Sequence, residues 1–229
     1  MKVIAHIYNG FETSFGVPRQ GGIANGILSE IVFEKEFRVR EAFRGLEDFS
    51  HIWVLWEFSD SKCDKFSPTV RPPRLGGNKR IGVFATRSPY RPNPIGLSAL
   101  ELEKIVYDDV RGPVLVVKGA DMKNGSPIYD IKPYIKEFDS IEASKSGFVC
   151  DTYSHSVDVT VPDDIEENFD KDLLLQIKSI LAHDVRPSYQ KDGKEYGLVF
   201  SGYEIKFVYD SDKIAVISIE KAQNSKNQH

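Results

Sequence analysis

The 229-residue sequence has only two cysteines, no long hydrophobic run and, over one central stretch, no acidic residue at all. Cys63 and Cys150 stand far apart and in no paired spacing, which excludes a disulfide framework and a thiolate zinc site. The five histidines are scattered, without carboxylates or cysteines at metal-ligand spacing, so no metal is expected. Without a run of about 18 apolar residues nothing marks a membrane span. The opening Met1 to His6 enters an alternating segment directly, without a signal-type apolar core, so a cytoplasmic location is expected. Nor does a Gly-x-Gly-x-x-Gly motif follow a strand-like run, which argues against a Rossmann cofactor site.

What is present is a globular composition, 41% hydrophobic and 28% charged, with a formal net charge of −4. That mean hides an asymmetry. From Lys65 to Leu100 there are seven cations (Lys65, Arg71, Arg74, Lys79, Arg80, Arg87 and Arg91) and neither Asp nor Glu. Subtracting those seven from the 30 Lys and Arg leaves 23 against 34 acids, a net −11 for the remainder. One electropositive site on an acidic body suits an anionic ligand better than a sequence-blind nucleic-acid coat.

The first half reads as strands separated by Gly, Pro and Asn: Val3 to Tyr8, Gly26 to Phe33, His51 to Phe58, Ile81 to Ala85, Leu97 to Val106 and Pro113 to Lys118. The pattern is β-rich with no βα alternation. His51 to Phe58 is apolar on both alternating faces, as for a central strand covered on each side, whereas Leu97 to Val106 fits a strand or a short helix equally well. Ser67 to Lys79 holds too many Pro and Gly residues for regular structure and reads as a functional surface loop. An acidic stretch within residues 151 to 168 marks a domain boundary. A small α+β unit follows over 165–222, with an amphipathic helix (Leu173, Leu174, Ile177, Ile180, Leu181) and strands at Tyr203 to Tyr209 and Lys213 to Glu220. The main domain is assigned to 1–150, and residues 223–229 read as a disordered tail.

Chemistry concentrates in three places. The densest runs from Arg80 to Ser98, where a strand ends in a Pro-rich loop. Its Arg87 and Arg91 keep their charge at any working pH, and its prolines lower the entropy of holding them in place. Pro18-Arg19-Gln20-Gly21-Gly22 is a second such turn. Lys118 to Tyr134 is a third, its Asn124-Gly125 being a hairpin signal in its own right.

Five segments in order resemble the TrmO (TsaA-like, YaeB) family of tRNA methyltransferases: Phe15 to Gln20, Gly45 to Trp53, Pro68 to Gly77, Arg80 to Ser98 and Asp130-Ile131-Lys132-Pro133-Tyr134. Asp184-Val185-Arg186-Pro187-Ser188-Tyr189 is similar to the Asp-Pro-Arg-Pro-Ala-Tyr motif of the family's C-terminal unit, with Val185 and Ser188 in place of Pro and Ala. In the first strand, Ala5 and Gly10 stand where the family usually has Gly and Pro.

The resemblance implies a mainly β protein: a compact β-barrel that binds S-adenosylmethionine, with a small α+β C-terminal domain that contacts tRNA. It also implies a homodimer with the cofactor near the subunit interface. The implied reaction is N(6)-methylation of the threonylcarbamoyl-adenosine next to the tRNA anticodon. Pro18, Arg19, Gln20, His51, Arg87, Leu97, Asn124, Gly125, Ser126 and Pro127 would contact the cofactor. Arg74, Lys79, Arg91, Asn93, Asp184, Arg186 and Tyr189 would contact the modified base or the tRNA, Arg91 and Asn93 being placed to hold either the cofactor's methionine carboxylate or the threonyl carboxylate of the base. Asp130 and Tyr134 are the candidates for a base that takes a proton from the attacking nitrogen, an Asp beside Lys132 reading also as a structural ion pair. Tyr90 or Trp56 could stack on an extruded base, although Trp56, lying in a strand, reads first as a core residue. A non-catalytic S-adenosylmethionine-binding regulator and a plain RNA-binding module are the alternatives.

Overall fold

The computed structural model describes residues 1–18, 20–22, 26–61, 65–72, 75, 79–149, 157–183, 193–210 and 213–222. Six strands close into a barrel: β1 (Ala5–Tyr8), β2 (Leu28–Phe33), β3 (His51–Glu57), β6 (Ile95–Asp108), β7 (Gly112–Lys118) and β8 (Pro127–Pro133). Their order around the wall is β1-β2-β7-β6-β3-β8, each neighbouring pair antiparallel. Closure depends on the 14-residue β6. Its first half pairs with β3 and its second with β7, so that Glu101 lies opposite both His51 and Lys118. A bulge between Leu102 and Lys104 bends the strand where it changes partners.

The period-2 alternation fills the interior with Ile7, Ile31, Ile52, Val54, Trp56, Leu100, Leu115, Val117 and Ile128. The outer face of β3, by contrast, leaves Trp53 and Leu55 half-exposed. The double-sided cover expected for this run is absent because a barrel wall has one interior. Ile81 to Ala85 is a strand only at β5 (Ile81–Gly82), which pairs with β4 (Thr69–Val70) inside the stretch read as irregular. Val83 donates its N–H to Pro68 instead, and Val83–Ala85 turns into a 3-10 helix. The ambiguous Leu97 to Val106 is entirely strand, and β8 is one the sequence did not announce, with prolines at both its ends. After β8 comes the short α1 (Lys136–Asp139).

The second sheet has the order β10-β11-β12-β9, from β9 (Asp158–Thr160), β10 (Glu195–Phe200), β11 (Tyr203–Asp210) and β12 (Lys213–Lys221), with β9 parallel to β12. α2 (Asp163–Asn168) takes up the acidic stretch, and α3 (Lys171–Ala182) is the expected amphipathic helix. The Asp170 carboxylate caps α3 by accepting the Leu173 N–H at 2.8 Å; Ile177, Ile180 and Leu181 are buried in one core with residues of the sheet, and Leu174 is buried as well. Ser201 and Gly202, both at positive φ, make the tight turn between β10 and β11. Cys63, Cys150, the Asp184 to Tyr189 motif and the 223–229 tail lie outside the described residues.

Candidate active site at the barrel mouth

One end of the barrel gathers segments far apart in sequence. Trp56, at the end of β3, is 3% exposed and points inward, so it is core and not a stacking platform. Its indole N–H donates to the Ser98 hydroxyl at 3.0 Å, and that hydroxyl donates to Asp121 Oδ1 at 2.5 Å. Gly96 makes room for the indole: a Cβ there would lie 2.2 Å from the ring. Burial pushes the Asp121 carboxyl up from its ordinary range, opposed by the Ser98 hydroxyl, the backbone N–H groups of Asp121 and Gly21, and the charge of Arg87.

Around this chain the two loops singled out in the sequence meet. Arg87 donates to the Gln20 side-chain oxygen, which joins the cationic loop to the Pro18 turn. Pro18 itself is buried. Gly22 donates its N–H to the Gly119 carbonyl at 2.9 Å, and a Cβ on Gly21 would stand 3.2 Å from the Ala99 carbonyl oxygen, so this loop lies flat against β6 and the end of β7. Arg91 is half-buried and spends one guanidinium nitrogen on the carbonyls of Thr86 (3.1 Å) and Ser88 (3.4 Å), which folds the loop that carries it. Asn93 and Lys79 are exposed, and Tyr90 is 60% exposed on the same loop.

The third segment is equally fixed. Asn124 Oδ1 accepts the Asn9 N–H at 3.1 Å, the Asn124 and Gly125 N–H groups bond the carbonyls of Phe11 and Ile7, and Gly125 is left-handed at φ 79°. Pro127 opens β8, and Ser126 is buried behind the turn. Lys123 pairs with Asp60 at 2.7 Å; that hydrogen bond, with one from Ser14, holds the Asp60 carboxyl below its ordinary range.

The remaining expected residues sit elsewhere. His51 and Tyr134 lie at the far end of β3 and β8, ring centroids 6.3 Å apart, and His51 is about 17 Å along the strand from Trp56. Its Nδ1 is 2.9 Å from the Ser50 hydroxyl. Asp130 and Leu97 are both on the outer wall, flanking Leu55 in register, about 10 Å apart by strand spacing. Asp130 pairs with Lys132 at 3.1 Å and accepts the Ile131 N–H. Arg19, Arg74, Asp184, Arg186 and Tyr189 lie outside the described residues.

Sequence reading missed Asp121 and Ser98. The available signal was an aspartate between apolar Ala120 and Met122 just beyond the buried Val114 to Val117 run, a placement that forces a carboxylate to find partners. Among the described residues no group of three or more His, Cys, Asp and Glu could hold a metal ion, and no helix is long and apolar enough to cross a membrane.

The mouth places a cation, Arg87, beside an enclosed carboxylate, Asp121, a pairing suited to a ligand that carries charges of both signs. Two family models account for nearly the whole chain: the tRNA-methyltransferase O N-terminal domain over residues 6–140 and the TrmO C-terminal domain over 156–222. The chain belongs to the TrmO family. It is 35% identical over 228 residues to the Escherichia coli K12 tRNA (adenine(37)-N6)-methyltransferase, covering 95% of this chain and 96% of that one. A 40% identity to the Eikenella corrodens protein of the same name covers 69% of this chain and 90% of the relative. A crystal structure of TrmO from Pseudomonas aeruginosa superposes with a TM-score of 0.74 at 26% identity, covering 95% and 96% of the two chains. The barrel and its mouth are thus TrmO architecture, mainly β as the sequence implied.

Proposed function

We propose that this chain is an S-adenosylmethionine-dependent tRNA (adenine(37)-N6)-methyltransferase of the cytoplasm, acting on adenosine that already carries a threonylcarbamoyl group. The observation that carries the reading is the Arg87–Gln20 link, which locks two TrmO motif loops together over the Asp121–Ser98 pair. Full-length identity to a relative named for this activity supports it.

Bound S-adenosylmethionine supplies an electrophilic methyl group. The chain's task is then to align the attacking nitrogen, exclude water and accept a proton. Arg87 neutralises the cofactor carboxylate, the Gln20 to Gly22 backbone and the Asn124 to Pro127 turn frame it, and Asp121 faces its cationic side. Arg91, Asn93, Lys79 and Arg74 receive the anionic substrate, and the C-terminal unit with Asp184, Arg186 and Tyr189 holds the tRNA body. Asp130, or Tyr134 four residues further along the chain, takes the proton. These two and His51 lie on a wall whose Leu97 is 55% exposed next to Leu55 and Trp53. An apolar row of this kind suits cover by a second copy of the chain, which would complete the site.

The test is to incubate the protein with S-adenosylmethionine and tRNA bearing or lacking the threonylcarbamoyl group, followed by nucleoside mass spectrometry. A one-methyl mass gain only on the modified tRNA is expected. Cofactor binding without product would leave a regulator, and RNA binding indifferent to cofactor would leave an RNA-binding module. Light scattering on the same preparation is expected to give about twice the 25.9 kDa chain mass.

A further inference from the structure

The segment that leads into the Pro18 loop belongs to both halves of the molecule. Phe11 accepts the Asn124 N–H on its carbonyl at 2.8 Å and donates its own N–H to Asn9 Oδ1 at 3.0 Å, so its backbone is part of the barrel. Its side chain is in the other core: 2% exposed, ring centroid 5.2 Å from Phe200, in a cluster with Leu198, Ile205 and Phe207. An isolated antiparallel bridge joins Phe11 to Phe200.

The turn between β10 and β11 grips the same segment from outside. Ser201 donates its N–H to the Gly10 carbonyl at 2.9 Å, and Gly202 donates to Glu12 Oε1 at 2.7 Å. Contact is close enough that a Cβ on Gly10 would lie 2.3 Å from Ser201 Oγ and 2.6 Å from the Phe200 ring. Further along, Phe15 stacks on Tyr196 at 6.5 Å, and Gly16, at φ 93°, sits against Leu198. Where the chain returns to the barrel ahead of β2, Ile27 is 3% exposed in that same second core. The Pro18 to Gly22 loop is therefore flanked on both sides by side chains buried in the C-terminal unit, and it meets the barrel through contacts such as Gly22 to Gly119 and Gln20 to Arg87.

We propose that the C-terminal sheet is a positioning element of the cofactor site: its β10–β11 turn, acting through Gly10, Phe11 and Glu12, sets the loop that carries Gln20. This rests on the reading that S-adenosylmethionine binds at that loop. It extends the role of the C-terminal unit beyond tRNA contact, because residues far from the barrel mouth then govern cofactor affinity. Phe11 and Glu12 are positioning residues and touch no substrate. A surface acceptor such as Glu12 would be silent in cofactor binding if the second sheet were only an appended module.

The experiment is calorimetric titration of the full chain with S-adenosylmethionine, alongside steady-state kinetics with modified tRNA. Glu12→Ala removes the acceptor of the Gly202 N–H and is expected to weaken cofactor binding about threefold to tenfold, with kcat at saturating cofactor and the KM for tRNA unchanged. Glu12→Gln, which keeps an oxygen acceptor, is expected to restore the wild-type value. Gly10→Ala, which wedges the turn away, is expected to weaken binding at least as much as Glu12→Ala. Arg87→Ala serves as the control on the site itself. If Arg87→Ala weakens binding while Glu12→Ala and Gly10→Ala do not, the positioning role is overturned. Should Arg87→Ala also leave affinity unchanged, the cofactor is not at this mouth and the underlying reading fails first.

Discussion

The mouth of the barrel and its outer wall carry the same kinds of residue in opposite circumstances. At the mouth, Asp121 is enclosed and takes hydrogen bonds from Ser98 and from backbone, with Arg87 near it. On the wall, Asp130 stands 45% exposed with Lys132, its neighbour two residues along the strand, as its ion-pair partner. The first arrangement is complete within one chain, whereas the second sits beside apolar side chains that are half-exposed or exposed among the described residues. An enclosed carboxylate is tuned by its surroundings. An exposed one takes its role from whatever docks on it.

The sharpest way to break this comparison is at the wall. Asp130→Asn is expected to lower kcat about 10²-fold to 10⁴-fold, the usual worth of a positioned base, while calorimetry finds cofactor affinity intact. Wild-type turnover would remove Asp130 as base and leave the chemistry to the mouth.

At the mouth, Asp121→Asn is expected to weaken S-adenosylmethionine binding about tenfold. The sign of its effect on stability is the opposite of a usual carboxylate's. A carboxyl whose folded-state pKa is raised binds its proton more tightly in the folded state, so its ionised form weighs against folding above that pKa and the penalty lifts as pH falls through it. The variant should therefore melt no lower than wild type at pH 7, with any advantage shrinking toward acid. A melting point that drops together with affinity would reduce Asp121 to a packing residue.

The smallest effect is expected at Asp60, whose pair with Lys123 braces the Asn124 turn from solvent. Asp60→Asn should lower the melting temperature by about 1–3 °C at neutral pH, as an exposed pair does in a chain of this size. Its depressed pKa means that this contribution is present above the ordinary carboxylate range and is lost as pH falls through the folded value. A difference that does not shrink as the pH is lowered below the ordinary carboxylate range would not come from the ion pair.

The sequence made much of this visible, but unevenly. Alternation exposes β1 and β2, each with one buried face, whereas β3 and β7 show as short continuous apolar runs, β7 being buried on both faces, and the 3-4 spacing of Leu174, Ile177 and Leu181 exposes α3. β8 escapes notice because Asp130 and Lys132 occupy outward positions and Pro127 and Pro133 mask its ends. Arg87 and Gln20 are legible as members of motifs, yet their contact across 67 residues is a property of barrel closure that no local pattern encodes. The division between mouth and wall is hidden for the same reason: His51 and Trp56 are five residues apart in one strand but stand at opposite ends of it. Trp56 reads first as core from its place in a strand, and Gly96 and Ser98 are seen to receive its ring and its N–H.

The Trp56–Ser98–Asp121 chain has a direction. An indole N–H can only donate, and a serine hydroxyl has one hydrogen, so once Trp56 has given its proton to Ser98 the hydroxyl must aim its own at Asp121. The relay cannot run backwards. A proton that Asp121 acquires is then disfavoured on the oxygen that accepts from Ser98. Acid would thus turn this carboxyl from a pure acceptor into a group with a hydrogen to offer, and the buried tryptophan decides which of its two oxygens offers it.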